Sequence, residues 1–584
     1  MIEKGKRRRL LAVVVILLVV WMGLAYRLVQ LQLGSPELFR EQLVKTRNQE
    51  KQIAGSRGRI YDRKGRDNVL ALDVAMKDVI ADSRRIVTNG QVKAAAAKLA
   101  PILQMARSEL EERLNKPRRH FERLKRHVPE ETVNRVKTAG VQGIYFSDVA
   151  VRQYPQNSFM CHVIGFSGGG GTGACGGVEQ AMNGYLRGKS GQVEIQLDVG
   201  RNEIYDRRVE SAAPEDGADI YLTIDQHLQF FVESALDRAM AKHRARGAWA
   251  IIQSVETGEI LAMASRPAFN VNEFETATTN QRINRAFGAV YEPGSTMKAL
   301  ALSGVLNEGL VKASDVVFCE NGSWLHAGRL LRDTHAYGSL TVSDVIKKSS
   351  NIGSAKLALM LGEKRLEAYL TAFGIGGRTG IDLPGEERGI FHPVKEWSKL
   401  SCSRIAIGQG VAVTALQMLG AYCTIANGGV RMRPYVVKKV VGRDGSMLFE
   451  QRPTSMGAPI KPETAKLMSA LLARVTEDGG TGTRARVDGY DVAGKTGTAQ
   501  KPIPGGYSTT DYVASFVGFL PAERPEIGII VVVDGPQPYH VGGLVAAPAF
   551  SEIAEKTVSY LDIVPTRPAT SGVASTMRAG SGRL

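Results

Sequence analysis

The hydrophobic pattern begins with an uncharged run from Leu10 to Tyr26, which follows five basic residues between Lys4 and Arg9. A transmembrane helix needs about 20 apolar residues, and roughly 17 are tolerated. The run therefore predicts that residues 10–30 form a single-pass anchor in the cell (inner) membrane. Because positive charge collects on the cytoplasmic side, residues 1–9 are expected to form a cytoplasmic tail and the rest of the chain to be extracytoplasmic. A cleaved signal peptide is the alternative, but the run passes through Trp21, Tyr26, Arg27 and Leu28 with no convincing cleavage site.

The pattern between the anchor and residue 216 is mostly polar and charged. Residues 27–50 predict a polar helical stalk that continues from the membrane. The basic, glycine-punctuated stretch 55–65 predicts a strand and a turn. From about 90 to 140, charges of both signs lie on a helix-prone sequence, which favours exposed helices over a binding tail.

A different pattern begins near residue 217, where ADIYLTID alternates apolar residues as in a strand and Asp225 then caps a helical run. AWAIIQSV with EILAMAS, and VASFVGFL with IGIIVVVD, are pairs of apolar runs joined by short turns, and each pair predicts an antiparallel hairpin. An amphipathic helix is expected at about 548–561. Helices mixed with hairpins predict an α+β fold in which both ends of this domain, 217–564, share one sheet. Residues 565–584 predict a disordered tail.

Composition narrows the class of protein without naming a function. A chain of 584 residues has room for two or three domains. Its net charge of +17 would suit nucleic acid, but most of the chain is predicted outside the membrane, so no nucleic-acid partner is expected. Five cysteines without C-x-x-C exclude a disulfide scaffold and zinc-finger spacing. Cys161 and Cys175 could bridge, whereas Cys319, Cys402 and Cys423 are expected to be buried apolar residues.

The first candidate for chemistry is Ser295, in a segment YEPGSTMK that leads into an apolar helical run. Pro293 and Gly294 mark a helix start, so the i,i+3 spacing places Ser295 and Lys298 on one helix face. A lysine in a desolvated pocket loses its charge and can act as general base for a serine hydroxyl. Alone the motif is weak, since an N-capping serine followed by a surface lysine gives the same letters.

Two further polar motifs follow. Ser349 and Asn351 end the helical run TVSDVIKK, where a hydroxyl and a carboxamide can relay a proton and hold a substrate amide, although a polar helix terminus explains them equally. The third motif lies in DVAGKTGTAQ, where a lysine supplies positive charge, threonines can bind a carboxylate, and a glycine lets a substrate backbone lie against a strand edge. Its candidate residues are Lys495, Thr496, Gly497 and Thr498.

Taken together and in this order, the three motifs resemble the S-x-x-K, S-x-N and K-T-G set of the penicillin-binding protein and serine β-lactamase superfamily. Two competing motifs are set aside. Gly489 to Thr496 fits the P-loop pattern, but the following GTAQKPIPGG is not expected to be helical, as phosphate binding requires. Gly171-x-Gly173-x-x-Gly176 fits a dinucleotide pattern, but no βαβ unit surrounds it.

Within that superfamily the chain is most similar to class B penicillin-binding proteins. RGRIYDR at 57–63, RQYP at 152–155 and GVE at 177–179 resemble motifs of the non-catalytic module of that class. The resemblance implies an elongated α+β pedestal, a dimerisation-like domain, over 31–216. It also implies a transpeptidase domain, an antiparallel sheet flanked by helices, over 217–564. The catalytic segments most resemble the division-specific, septal enzyme.

The resemblance implies a two-stage acyl transfer that uses no metal and no organic cofactor. Ser295, activated by Lys298, would attack the D-Ala–D-Ala amide of a peptidoglycan stem peptide, with the oxyanion between the backbone N–H groups of Ser295 and Thr498. Ser349 and Lys495 would pass a proton to the leaving D-alanine. An amine of a second stem peptide would then resolve the acyl-enzyme.

The same resemblance implies the binding roles and the partners. Asn351 would anchor the donor peptide, and Thr496 and Thr498 would bind its terminal carboxylate. β-Lactams would acylate Ser295 as mimics of the substrate. A membrane lipid II polymerase and other division proteins are the implied protein partners.

Three alternatives stay open at this point. They are an elongation-specific transpeptidase, a catalytically idle septal scaffold and a β-lactamase-like hydrolase. The hydrolase would need a deacylating water held by a glutamate, yet the stretch LPGEERGIFHP, the only one that resembles an Ω-loop, contains no Glu-x-x-Asn.

Overall fold

The computed structural model describes residues 2–33, 48–53, 55–119, 121–168, 173–196 and 209–568. These residues form two compact units. The first contains the chain up to Ser56 together with Gly188–Gly217, and the second contains Arg57–Arg187 together with the chain from Ala218 onward. All of the candidate site residues belong to the second unit.

The first unit consists of one long helix and a small sheet. The helix runs from Ile2 to Leu33, and its stretch Lys4–Gln32 is long and apolar enough to cross a membrane. The predicted anchor therefore lies on a helix of suitable length. The sheet has three antiparallel strands, with Gly191–Gln196 between Asn48–Ile53 and Val209–Ala212.

The predicted helical stalk over residues 27–50 is wrong at its C-terminal end. The helix ends at Leu33, residues 34–47 lie outside the described residues, and a strand begins at Asn48. The strand sequence NQEKQI has no apolar alternation, so no local pattern indicates a strand. It forms because Gly191–Gln196, far along the chain, supplies its backbone partners.

A seven-stranded sheet lies in the second unit. Its central strand Asp219–Leu222, predicted from ADIYLTID, runs parallel to Ile60–Tyr61 and antiparallel to Val437–Val441. The strand predicted within 55–65 is therefore also confirmed. In spatial order the strands are Met447–Glu450, Val437–Val441, Asp219–Leu222, Ile60–Tyr61, Val69–Ala81 and Glu122–Val128, with Ile144–Gln153 also paired to Val69–Ala81.

The charged stretch from 90 to 140 is helical, as predicted, except for one strand. Its helices bury an apolar face and are Val92–Leu103, Arg107–Leu114 and Glu130–Thr138. The strand Glu122–Val128 was not predicted because its sequence ERLKRHV is mostly charged. It is nevertheless compatible with burial, since the buried Glu122 carboxylate is neutralised by Lys116 at 2.7 Å and Arg119 at 3.0 Å.

The catalytic motifs lie around a five-stranded antiparallel sheet. Both predicted hairpins are present, and strands from the two ends of the domain lie side by side, as the α+β prediction required. The spatial order is Ile260–Arg266, Gly247–Ser254, Ile527–Asp534, Gly506–Leu520 and Ala493–Ile503.

Helices cover both faces of this sheet, which explains why its strands are almost continuously apolar. On one face, Val531 and Val533 pack in a cluster with helices Gln226–His243 and Gly542–Tyr560. On the other face, Ile530 and Val532 belong to a larger cluster that contains helices Met297–Asn307 and Ala415–Ala426.

The final helix is longer than predicted. It begins at Gly542 rather than near residue 548, and Pro548 lies inside it. Proline is usual in a first helical turn and unusual in a helix interior, so the sequence pattern placed the start too late. The Gly542 N–H donates to Thr498 Oγ1 at 3.0 Å, which anchors the true start to the edge strand of the sheet.

The remaining helices and short sheets complete the second unit. The helices are Ser83–Thr88, Cys161–Ile164, Gly177–Ala181, Asn183–Leu186, Thr279–Arg282, Arg285–Gly288, Val342–Lys348, Asn351–Leu361, Glu363–Ala372, Ser401–Ile405 and Pro462–Ala473. The two-stranded sheets pair Val316–Phe318 with Ser339–Thr341, Ser323–His326 with Arg329–Arg332, and Phe166–Ser167 with Ala174–Cys175.

All five cysteines are free thiols, so the bridge considered for Cys161 and Cys175 is not formed. Cys161 is buried and Cys175 is exposed. Cys319, Cys402 and Cys423 are buried, as predicted. Of the tail predicted to be disordered, residues 569–584 lie outside the described residues.

Candidate active site

Ser295 lies at the start of a buried helix. A single 3₁₀ turn, Gly294–Thr296, leads into helix Met297–Asn307, in which every residue from Met297 to Leu306 is buried. Gly294 has a φ of 55°, and a Cβ there would lie 3.0 Å from the Thr498 carbonyl oxygen, so glycine allows the turn to approach the neighbouring strand. The predicted helix start is confirmed, and it places Ser295 at the wall of a cavity.

Lys298 is enclosed by the protein, with 1% of its surface exposed. Its Nζ donates to the Ser349 carbonyl oxygen at 2.6 Å and to Asn351 Oδ1 at 2.7 Å, and it lies 3.2 Å from Ser349 Oγ. Among the described residues, no hydrogen bond involves the Ser295 hydroxyl. The surface-lysine interpretation of the first motif is therefore wrong, because the apolar helix carries Lys298 into the core.

A sharp backbone turn at Ser349 joins two helices. Helix Val342–Lys348 ends there, Ser349 has a left-handed φ of 60°, and the next helix begins at Asn351. Such a backbone conformation costs roughly 1–3 kcal/mol for a non-glycine residue and persists only where its surroundings hold it. The Lys298 hydrogen bond to the Ser349 carbonyl oxygen is one such restraint.

Asp333, which the sequence reasoning missed, holds this turn from the other side. Its carboxylate accepts hydrogen bonds from the Ser350 hydroxyl at 2.6 Å and from the backbone N–H groups of Asn351 at 2.5 Å and Ile352 at 3.1 Å. The carbonyl oxygen of Arg332 accepts from Asn351 Nδ2 at 2.8 Å. The short loop at residue 333 therefore caps the helix and orients the Asn351 carboxamide towards Lys298.

Lys495 reaches the same turn from the edge strand Ala493–Ile503. The side chain is fully buried, with 0% of its surface exposed, and its Nζ donates to Ser349 Oγ at 2.9 Å. Ser349 Oγ thus lies between two lysine nitrogens, that of Lys495 and that of Lys298 at 3.2 Å. The three groups form a continuous chain along which a proton can move.

Burial and mutual repulsion determine the charges of the two lysines. Burial lowers the pKa of Lys298 well below its ordinary value, the positive charge of Lys495 lowers it further, and Asp333 opposes the shift. Burial lowers the pKa of Lys495 to about 7. Near neutral pH, the pair can therefore hold Lys298 as a neutral amine beside a Lys495 that readily gains or loses a proton.

Gly497 is required by the packing of the chain itself. A Cβ at this position would lie 2.3 Å from Ser515 Oγ and 2.9 Å from the Pro293 carbonyl oxygen. The sequence reasoning attributed this glycine to the approach of a substrate. The structure gives a different physical cause, since the inner side of the edge strand touches both the next strand and the turn that carries Ser295.

An open cavity of about 780 Å³ collects the exposed groups of the site. The predicted residues that line it are Ser295, Ser349, Asn351, Thr496 and Thr498. Lining residues that the sequence reasoning missed include Glu292, Thr481, His335, Tyr337 and Tyr512. Thr481 Oγ1 lies 2.9 Å from Thr496 Oγ1, so a second threonine reinforces the predicted carboxylate-binding position. Of these residues only Glu292 stands beside a motif in the sequence, so only it carried a local signal.

The P-loop interpretation of Gly489 to Thr496 is wrong. Residues 493–503 form a strand, so no helix N-terminus follows Lys495 to receive a phosphate. The Gly171–Gly176 pattern falls partly outside the described residues, and the helix after it, Gly177–Ala181, is a single short turn.

Fold and site together define a class of protein. A serine lines a cavity, and two lysines of lowered pKa share a second hydroxyl at its wall. Among the described residues, no further strand pairs with the outer edge of strand Ala493–Ile503, and an exposed strand edge can bind an extended peptide. A nucleophile with neighbouring bases is the equipment of a serine acyltransferase. No metal ligand cluster occurs among the described residues.

Comparison with known proteins gives the family. Residues 248–555 match the penicillin binding protein transpeptidase domain, and residues 52–169 match the penicillin-binding protein dimerisation domain. The chain belongs to the penicillin-binding protein transpeptidase family, and the expectation of a class B member is confirmed.

Two curated relatives and one solved structure illustrate the similarity. The probable peptidoglycan D,D-transpeptidase PenA of Neisseria meningitidis is 30% identical over 97% of this chain and 95% of its own length. The peptidoglycan D,D-transpeptidase FtsI of Escherichia coli is 31% identical over 92% of this chain and 89% of its own. Penicillin binding protein 3 of Mycobacterium tuberculosis, solved with aztreonam, has a TM-score of 0.68 and 28% identity, covering 89% of this chain and 99% of that one.

Proposed function

We propose that this protein is a membrane-anchored peptidoglycan D,D-transpeptidase that cross-links stem peptides during septal wall synthesis and is inhibited by β-lactams. The observation that carries the proposal is the Lys298–Ser349–Lys495 chain beside Ser295, in a member of the transpeptidase family. The reaction proceeds through an acyl-Ser295 intermediate and needs no cofactor.

In the first stage, the neutral Lys298 amine takes the proton of the Ser295 hydroxyl as Oγ attacks the penultimate D-alanine carbonyl. Hydrogen bonds from Lys298 to Ser349 and Asn351 occupy two of its N–H groups, which leaves the nitrogen lone pair for this proton. The backbone N–H groups of Ser295 and Thr498 stabilise the oxyanion. Preorganised donors of this kind, directed at the charge that develops in the transition state, are usually the largest single contribution to catalysis.

The proton then has to reach the leaving D-alanine amine. Lys298, now charged, is repelled by Lys495, and Ser349 Oγ bridges the two nitrogens. The proton is passed through Ser349 to the amine as the C–N bond breaks. Lys495, with its pKa of about 7, supplies positive charge next to Ser349 at this step.

Substrate binding uses the cavity wall. Thr496 and Thr498 bind the terminal carboxylate of the donor, and Thr481 adds a third hydroxyl. Asn351 anchors the donor amide. In the second stage an amine of another stem peptide attacks the acyl carbon, Lys298 takes a proton from the attacking nitrogen, and this proton passes to Ser295 Oγ as the bond between Oγ and the acyl carbon breaks.

The topology is proposed from the charge flank of the first helix. Residues 1–9 lie in the cytoplasm, the helix crosses the membrane once, and the pedestal over 31–216 and the catalytic domain over 217–564 both lie on the extracytoplasmic side. A membrane lipid II polymerase and other division proteins contact the anchor and the pedestal. Depletion in cells distinguishes septal from elongation-specific work, since loss of a septal enzyme gives filaments and loss of an elongation enzyme gives rounded cells.

The acyl-serine site is tested by intact mass of the purified full-length protein after benzylpenicillin, beside Ser295→Ala. A single adduct that lasts for many minutes and is absent from Ser295→Ala is expected. No adduct would remove the nucleophile assignment and support an idle scaffold. An adduct that vanishes within seconds would identify a hydrolase, and a donor peptide offered with an amine acceptor should confirm transfer by yielding a cross-linked product.

A further inference from the structure

Glu292 faces the catalytic cavity without a part in the mechanism above. It stands three residues before Ser295, just ahead of the same turn, and lines the same cavity. Its side chain is half-buried. A charged side chain in such a position is costly unless something compensates its charge.

The contacts of Glu292 hold one oxygen and leave the other free. Oε1 accepts from the Gly410 N–H at 2.9 Å and from the Tyr507 hydroxyl at 3.1 Å. Among the described residues, no ion pair involves Glu292 and no hydrogen bond reaches Oε2. The carboxylate is therefore fixed in direction by two neutral donors while its charge stays unpaired.

The neighbouring lysines bond to other groups. Lys348, which lines the cavity, donates from Nζ to the Gly479 carbonyl oxygen at 2.9 Å, and the buried Lys495 donates to Ser349 Oγ. Burial raises the pKa of the Glu292 carboxyl, while its two hydrogen bonds oppose the rise. A fixed, unpaired and relatively basic carboxylate beside the nucleophile is suited to a cationic group of the substrate.

Resting on the proposed function, we propose that Glu292 binds a primary ammonium group of a stem peptide and so determines substrate specificity. Transpeptidation requires an amine on the acceptor peptide. Since donor and acceptor are the same kind of peptide, a donor carries that amine as well. The ammonium of a donor peptide and that of an acceptor peptide would pair with the half-buried carboxylate in the same way. The role of the carboxylate differs between the two peptides.

On an acceptor, Glu292 takes one proton from the ammonium, which yields the free amine. The amine nitrogen then forms a bond to the acyl carbon, the bond from that carbon to Ser295 Oγ breaks, and the second amine proton passes through Lys298 to Oγ. Glu292 releases its proton to water, and the enzyme is restored. On a donor, Glu292 keeps the ammonium ionised and positions the acyl chain in the cavity.

The test compares full-length wild type, Glu292→Gln and Glu292→Asp in detergent, with Glu555→Gln as a matched control on the exposed side of the last helix. The donor arm measures kcat/KM for a D-alanyl thioester peptide whose side-chain amine is free, divided by that for the N-acetylated peptide. The acceptor arm uses the N-acetylated donor and measures the ratio of aminolysis to hydrolysis with a peptide that carries a side-chain amine.

Loss of one charge-assisted hydrogen bond corresponds to roughly ten- to a hundredfold. In wild type and Glu555→Gln, at least one arm should respond to the ammonium. If the donor arm responds, the free amine should be favoured by about tenfold or more and Glu292→Gln should bring that ratio close to one. If the acceptor arm responds, Glu292→Gln should lower the ratio of aminolysis to hydrolysis by about tenfold or more, and in either arm Glu292→Asp should restore part of the loss. Which arm responds identifies the donor or the acceptor as the source.

Ratios equal in wild type and Glu292→Gln in both arms would overturn the inference. The proposed function is judged separately by the lasting benzylpenicillin adduct, which does not depend on a substrate amine. Wild type that forms the adduct but shows no charge preference would leave the transpeptidase assignment standing and remove only the ammonium site. A Glu292→Gln protein that melts like wild type excludes misfolding as the cause of a lost preference.

Discussion

Replacing Asp333 with asparagine should disable the site without removing any group of the proposed proton relay. The carboxylate receives three hydrogen bonds, from Ser350, Asn351 and Ile352, at the start of helix Asn351–Leu361. Asparagine keeps one acceptor oxygen, but its amide nitrogen cannot accept the Ser350 O–H, and the negative charge at the helix N-terminus is lost.

The magnitude follows from these contacts. A hydrogen bond contributes about 1 kcal/mol net, and a carboxylate at a helix N-terminus contributes about 0.3–1 kcal/mol. Asp333→Asn should lower the free energy of unfolding by about 1–2 kcal/mol, and Asp333→Ala by about 3 kcal/mol. A shift of about 1 Å in a positioned group costs about a hundredfold in rate. Because Asn351 is held by this carboxylate, acylation should fall by about one to two orders of magnitude.

Charge adds a second, separable effect. Asp333 opposes the lowering of the pKa of Lys298, so its neutralisation should lower that pKa further. The acidic limb of the acylation rate, which reports deprotonation of Lys298, should then move to lower pH. The assay is the second-order rate constant for benzylpenicillin acylation between pH 5 and 9, together with thermal unfolding.

Asp444→Asn is the matched control, since that exposed carboxylate accepts hydrogen bonds from the N–H and hydroxyl of Ser446 and does not line the cavity. It should leave both acylation and the pH profile unchanged. An Asp333→Asn protein with wild-type rates and an unmoved acidic limb would refute the argument that this carboxylate positions Asn351 and tunes Lys298.

The remaining predictions follow from single contacts. Lys495 has its pKa lowered to about 7 in the folded state, so between pH 7 and 9 the unfolded chain binds the extra proton and the free energy of unfolding should rise with pH; Lys495→Met should make this rise shallower in thermal unfolding and leave the part that Lys298 contributes, and an equal slope in both proteins would contradict it. Gly497→Ala would place a Cβ 2.3 Å from Ser515 Oγ, so it should destabilise the domain by about 1–3 kcal/mol, and Ser515→Ala should recover part of the loss in denaturant titration. Thr498→Val removes the acceptor of the Gly542 N–H and should cost about 1 kcal/mol as well as weaken acylation; unchanged stability would show that this helix start does not depend on Thr498.

Much of this protein can be predicted from local sequence. The apolar run with its basic flank predicts the first helix, and the hairpins are predicted because their partners are neighbours along the chain. The three motifs predict the chemistry of the site because they combine particular residue types at short, fixed spacings. The burial of Lys298 can also be predicted, since it lies on a mostly apolar helix.

Tertiary structure alone decided the rest. Asp333 and Thr481 acquire their positions in the site from loops that meet only after folding. The polar strand Asn48–Ile53 and the charged strand Glu122–Val128 have no apolar period and owe their form to distant backbone partners and ion pairs. Local spacing specifies which groups the protein has, whereas burial and non-local contacts specify their charges and their neighbours. The pKa of a lysine and the partner of a carboxylate depend on residues far away in sequence, and for that reason the motifs alone could not predict them.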